Sequence, residues 1–266
     1  MNRRIAPIAL LLAVVLNVAA QSPSQRAHAH NDYEHPRPLH DALEQGFGSV
    51  EADIFHIDGA LLVAHDRPKV SPERTLQSLY LDPLRERVQQ QGGRVHPDAP
   101  TFVLLIDFKS EAGHTYQRLQ EVLADYREML TVFRPDRTET NAVTVILSGN
   151  RPTATVAAEP ERLVAIDGRL PDLEGTANPH LIPLISDNWR SHFRWNGVGT
   201  IPDEERARLH DWVERAHAQG RRIRFWAGAD RPEMWRVQWE AGVDLINTDR
   251  LADLARFLEQ AEAGRH

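Results

Sequence analysis

The chain of 266 residues contains no cysteine. That excludes disulfides, thiolate zinc sites, a cysteine nucleophile and a lipid anchor attached through cysteine. Lysine is nearly missing as well: apart from Lys69 and Lys109, every basic residue is arginine. No Gly-x-Gly-x-x-Gly loop opens a helix, which argues against a dinucleotide-binding open sheet. Beyond residue 20 no apolar run is long enough for a bilayer core of about 30 Å. Basic residues are in the minority, 31 against 38 acidic, and a net charge of −7 disfavours general affinity for nucleic acid or an anionic membrane. What is present, 41% hydrophobic and 26% charged residues, is the balance of a globular chain able to bury a full core.

Residues 1–20 have the layout of a secretory signal peptide. Arg3 and Arg4 precede the apolar run 8–16, and the small residues Val18 and Ala20 stand ahead of Gln21. The reading is an exported protein, periplasmic or secreted, whose mature part, residues 21–266, is a single domain with no transmembrane segment after cleavage.

Along that part, short β-rich runs alternate with longer amphipathic stretches. The runs are 26–30, 49–55, 101–108, 142–147, 162–166, 181–186, 221–226 and 243–247. A further run at 60–64 follows Asp58-Gly59, a tight-turn pair that folds it back on the second strand as a hairpin. Helical spacing covers 38–45, 116–133, 202–219 and 231–240, with Gly46, Gly220 and Gly242 as stop signals. Eight strands with intervening helices predict a (β/α)8 TIM barrel, whose active site forms at the C-terminal strand ends. Residues 70–100, rich in Pro, Gln and Gly, read as a small insertion after strand 2 on the active-site side.

Polar residues at those strand ends are the candidate chemistry, because a charge inside a strand is costly unless paired or metal-bound. Strand one ends in His28-Ala29-His30-Asn31-Asp32, strand two carries Glu51-Ala52-Asp53, strand three ends in Asp107-Phe108-Lys109, and the hairpin return ends in His65-Asp66. Period-two alternation puts Glu51 and Asp53 on one face, and likewise Asp107 and Lys109. Glu51, Asp53 and Asp107 form a hard-oxygen set suited to one divalent cation, Mg2+ or Ca2+; the competing reading is a salt bridge from each to an arginine. His30 and His65 can serve as base and acid on either side of it. The other histidines, His35, His40, His96, His114, His180, His192, His210 and His217, read as surface or packing. Trp226 and Trp189, at the ends of strands seven and six, are candidate pocket walls.

Two other readings use the same residues. His28-x-His30 also looks like an amidohydrolase metal site, but that needs histidines where strands five and six end in Asp167 and Asp187; His28 then reads as hydrogen bonding near the metal. A barrel that binds a phosphorylated ligand without turning it over is the second.

These motifs in this order resemble the PLC-like phosphodiesterase superfamily, best known through the glycerophosphodiester phosphodiesterases. His30, Glu51-Ala52-Asp53, Asp58-Gly59 and His65-Asp66 fill its early slots, Asp107-Phe108-Lys109 the later acidic strand, and Asn247-Thr248-Asp249-Arg250 the closing Thr-Asp strand. The stretch 29–39 is similar to the branch named after altered inheritance of mitochondria protein 6. The resemblance implies His30 and His65 as the acid/base pair, Glu51, Asp53 and Asp107 as ligands of one divalent cation, and Lys109 as a phosphate contact. Asn31 and Trp226 fall beside the substrate, with His28, Asp66 and Asp249 around the site. The implied substrate is a small phosphodiester or phospholipid-derived molecule. Asn31 stands where glycerophosphodiesterases have arginine, removing one bidentate phosphate contact. Asp107 in place of glutamate is similar to the sphingomyelinase D branch.

Overall fold

The computed structural model describes residues 23–264; the expected signal segment lies outside the described residues. Its strands are β1 (Ala27–Ala29), β2 (Ser49–Ile57), β3 (Ala60–Val63), β4 (Phe102–Phe108), β5 (Val132–Phe133), β6 (Thr138–Glu139), β7 (Val143–Gly149), β8 (Val164–Gly168), β9 (Leu184–Asn188), β10 (Arg222–Trp226) and β11 (Leu245–Thr248). Parallel pairing runs β1, β2, β4, β7, β8, β9, β10, β11, and β11 pairs back onto β1, so eight strands close a TIM barrel. The ninth strand of this sheet, β3, is the antiparallel return of β2 across the Asp58-Gly59 turn, where both residues have positive φ. Ribbon β5–β6 is separate.

The helices are α1 (His40–Glu44), α2 (Asp82–Gln90), α3 (Ala112–Ala124), α4 (Thr153–Ala158), α5 (Trp189–His192), α6 (Asp203–Ala218), α7 (Pro232–Ala241) and α8 (Leu251–Ala263). Residues 70–100 are more regular than their composition suggests. The inserted element after strand 2 is the β3 return, whereas a π-helical turn, Gln77–Leu81, running into α2 makes the crossover from β2 to β4 and buries Tyr80, Leu81 and Leu84. Pro83 disguises it in the sequence, but it falls in the first turn of α2, where its missing N–H is not needed. The helix expected at 116–133 starts earlier and stops at Ala124. Glu111 caps it by accepting the N–H groups of Gly113 and His114, and Val132 and Phe133, which prefer strand, zip against Thr138 and Glu139 instead. Between β8 and β9 the crossover shrinks to a 3-10 turn, Leu170–Leu173.

Alternation along the strands sorts the core. Val103 and Leu105 of β4 meet Ile146, Leu184 and Leu245 in one cluster, while Phe102, Leu104, Ile106 and Phe108 belong to the larger cluster shared with the helices. Asp107 continues the first series by two residues, so the pleat that buries Leu105 also delivers a carboxylate to the C-terminal mouth.

Candidate active site

The β2–β4 register sets Asp53 directly beside Asp107, and one ligand oxygen each from Glu51, Asp53 and Asp107 lies within 4.8 Å of the others. They open into a cavity of about 290 Å3 at the C-terminal strand ends, lined also by His30, Asn31, His65, Lys109, Ser148, Arg169, Arg224 and Trp226. A larger hollow of about 590 Å3 lies at the opposite end of the strands, beside Arg26, Gly48, Thr101 and Arg222, and holds none of the three carboxylates. Gly149 closes β7 with φ +65°, and a Cβ there would stand 2.4 Å from an Asp107 oxygen, so glycine lets the backbone pass the site.

Each histidine is held through Nδ1 by a carboxylate. His30 Nδ1 lies 2.8 Å from Asp249 Oδ1, and His65 Nδ1 lies 3.0 Å from Asp53 Oδ2. This leaves Nε2 of both rings for a substrate. Asp249 is itself placed by its backbone N–H, which donates to Asp230 Oδ2 at 2.8 Å. Tyr33 ties the two halves together: its hydroxyl donates to Asp53 Oδ2 at 2.6 Å, lies 3.2 Å from His65 Nδ1 and touches the Asn31 amide at 2.7 Å. The Asn31 amide in turn sits 3.0 Å from His30 Nδ1. Asn31 adopts the left-handed conformation that asparagine tolerates, at φ 47°.

Two cations are built into the cluster. Lys109 Nζ lies 2.9 Å from Asp107 Oδ1 and 3.1 Å from Asp53 Oδ2. Arg224, 3% exposed inside β10, donates to Glu51 Oε2 at 3.0 Å and to Asn247 Oδ1 at 2.7 Å. Sequence reasoning missed Arg224 and Tyr33. His28, fully buried, is 2.7 Å from Ser49 Oγ and 3.5 Å from Glu51 Oε2, and burial together with Arg224 pulls its pKa down to about 3, so it stays neutral. Both its ring nitrogens are engaged, as support for Glu51.

The electrostatics separate the three carboxylates. Burial works to raise Glu51, but Arg224 and His28 outweigh it and hold it well below the usual range. Burial and the neighbouring Glu51 charge push Asp53 up to about 6, and burial raises Asp107. Burial works to lower Lys109, but the Asp107 and Asp53 charges raise it. Three carboxylates thus face two fixed cations, and the buried Asp53 Oδ1 has no hydrogen-bond partner. An orphaned inward oxygen in an all-carboxylate set is what a hard divalent cation would satisfy, so the residues fit one.

Some expected residues lie elsewhere. Asp66 is exposed and pairs with Lys69 at 3.4 Å, outside the cavity lining. Trp189 is buried in the core, stacked 4.0 Å from Phe193. Asp167 is paired with Arg169 and Asp187 with His192, so neither supplies an amidohydrolase-type ligand.

The pattern of the AIM6-like phosphodiesterase domain matches residues 17–167, more than half of the chain. The chain belongs to this family. Residues 222–252, which carry Arg224 and Asp249, match the glycerophosphoryl diester phosphodiesterase family. Altered inheritance of mitochondria protein 6 from Eremothecium gossypii is 30% identical over 87% of this chain and 69% of its own length. A homologue from Arthroderma benhamiae is 26% identical over 84% and 80%. Among solved structures, a calcium-dependent phosphoinositol-specific phospholipase C from Pseudomonas aligns with a TM-score of 0.60 at 14% identity, covering 88% of this chain and 94% of that one. A glycerophosphodiester phosphodiesterase from Parabacteroides distasonis aligns at 0.54 and 15%, covering 89% and 97%. At such identities these structures share the barrel fold of the family.

Proposed function

We propose that the protein is an exported phosphodiesterase, dependent on Mg2+ or Ca2+, that cleaves a small phosphodiester by acid–base catalysis between His30 and His65. The observation that carries this is the pair of imidazoles, each fixed through Nδ1 by a carboxylate, lining one cavity with three clustered acidic residues. A module that only binds phosphate has no use for two so oriented titratable rings.

Glu51, Asp53 and Asp107 would hold the cation, and when bound it would neutralise a non-bridging phosphate oxygen. Lys109 adds a point charge beside it and Arg169 a guanidinium, which offsets the arginine that Asn31 replaces. One histidine takes the proton from a neighbouring hydroxyl of the substrate, whose oxygen then bonds to phosphorus. The other gives a proton to the departing alcohol oxygen as its bond to phosphorus breaks. The product is a cyclic phosphate, released or opened by water in the reverse sense. Asp249 and Asp53 keep each Nε2 in place through both steps. Export rests on residues 1–20, and the net negative charge supports a small-molecule substrate over nucleic acid.

The test is a panel of phosphodiesters assayed with each metal and with chelator, on the protein and on His30→Ala and His65→Ala. Chelation and either substitution should each remove nearly all turnover, with circular dichroism unchanged in the variants. Turnover retained by either variant overturns the assignment.

A further inference from the structure

Resting on the phosphodiesterase reading, we infer that Arg169 and Trp226 form a headgroup subsite selecting a water-soluble diester in which the alcohol opposite glycerol carries an acidic group. Both line the cavity that holds the histidines. Arg169 directly follows β8 and Trp226 ends β10, so they face the carboxylate strands β2 and β4 across the mouth.

Arg169 is held rigid. Its Nη1 donates to Asp167 Oδ2 at 2.9 Å and to the Gly168 carbonyl at 2.8 Å. Asp167 is fully buried, and its Oδ2 also accepts from Ser148 Oγ at 2.9 Å. The guanidinium carbon sits 4.9 Å from the centre of the Trp226 ring. Nη2 makes only a long contact, 3.4 Å to Ser148 Oγ, leaving donor capacity for a ligand. A guanidinium fixed in this way suits a carboxylate or a second phosphate.

The same arrangement disfavours a cationic headgroup. A quaternary ammonium needs an open aromatic face, and Arg169 already lies over that of Trp226 and repels a second cation. Size and surface favour a soluble molecule. About 290 Å3 is roughly ten times the liquid volume of one water, enough for two small polar groups but not an acyl chain. Among the described residues, Val198 is the one large apolar side chain left exposed, so the mouth has no apolar rim for entering a lipid surface.

Three diesters with glycerol on one side and glycolate, ethylene glycol or choline on the other test this. The protein should show kcat/KM about tenfold or more higher for the glycolate than for the neutral diester, with choline poorest. Arg169→Gln should bring the glycolate-to-neutral ratio close to one, through a raised KM for the glycolate diester. Arg169→Lys should restore part of the ratio. Turnover without preference, or preference for choline, overturns this subsite and leaves the phosphodiesterase reading standing. Because the ratio is measured first on the unsubstituted protein, a variant that fails to fold does not decide the outcome. Turnover of none of the three, with either metal, overturns both.

Discussion

Arg224 and Glu51 form an ion pair inside the barrel, 3.0 Å apart and both almost wholly removed from solvent. A buried pair contributes little net stability over an apolar replacement, but removing one partner leaves an uncompensated charge. Arg224→Met should therefore destabilise the fold by about 3–5 kcal/mol, read by urea unfolding. The double variant Arg224→Met, Glu51→Gln should recover much of that loss. If both variants unfold at the same urea concentration, the pair does not act as a unit.

Lys109 occupies the space between Asp53 and Asp107 that a cation bound there would share. Lys109→Met should bind Mg2+ or Ca2+ about tenfold or more tightly in calorimetric titration, because a positive charge has left the ligand set. Its turnover should nevertheless fall by about a hundredfold, roughly the worth of one strong charge contact to phosphate. Weaker cation binding would show that the ammonium helps to build the site.

The Tyr33 hydroxyl organises Asp53 and His65 together. Tyr33→Phe should lower kcat/KM by about tenfold, the worth of one hydrogen bond to a charged group, and shift the melting temperature by only a few degrees. Unchanged kinetics would assign the hydroxyl to packing alone.

Asp32 is fully buried, and burial pushes its pKa up to about 6, although the Leu39 N–H and Tyr80 hydroxyl bonded to it act the other way. Its folded value lies above the unfolded one of about 3.9, so the folded state holds the proton more tightly. The resulting stability is fully present below about pH 4 and is lost as the pH rises to about 6, by about 2–3 kcal/mol. The difference in unfolding free energy between the protein and Asp32→Asn should change by that amount between pH 4 and 7. Parallel curves would rule out this titration.

The barrel and most of its mouth were legible because period-two alternation makes an inward charge conspicuous. Glu51, Asp53 and Asp107 stand out in otherwise apolar strands. Arg224 obeys the same rule but sits in Arg-Ile-Arg-Phe-Trp, where arginines flanked by large apolar residues look like a strand's solvent face. Tyr33 lies in no periodic element. Its hydroxyl reaches Asp53 because Asn31 turns left-handed and a 3-10 turn follows, a path set by tertiary contacts. Arg169 was hidden by a boundary, since the fifth strand runs to Gly168, two residues beyond its apolar run. The helix α2 and the early end of α3 were lost for the reverse reason: local composition pointed one way and packing decided the other.

Glu51 and Arg224 are 173 positions apart. During synthesis the carboxylates of β2 are made long before the strand that neutralises the innermost of them. Closing so long a loop is slow, and the inward charges favour water until β10 and β11 arrive to seat beside β1. Closure of the ring and completion of the catalytic mouth are thus one event, and a chain cut short before β10 would yield no weaker enzyme, only an unfinished barrel.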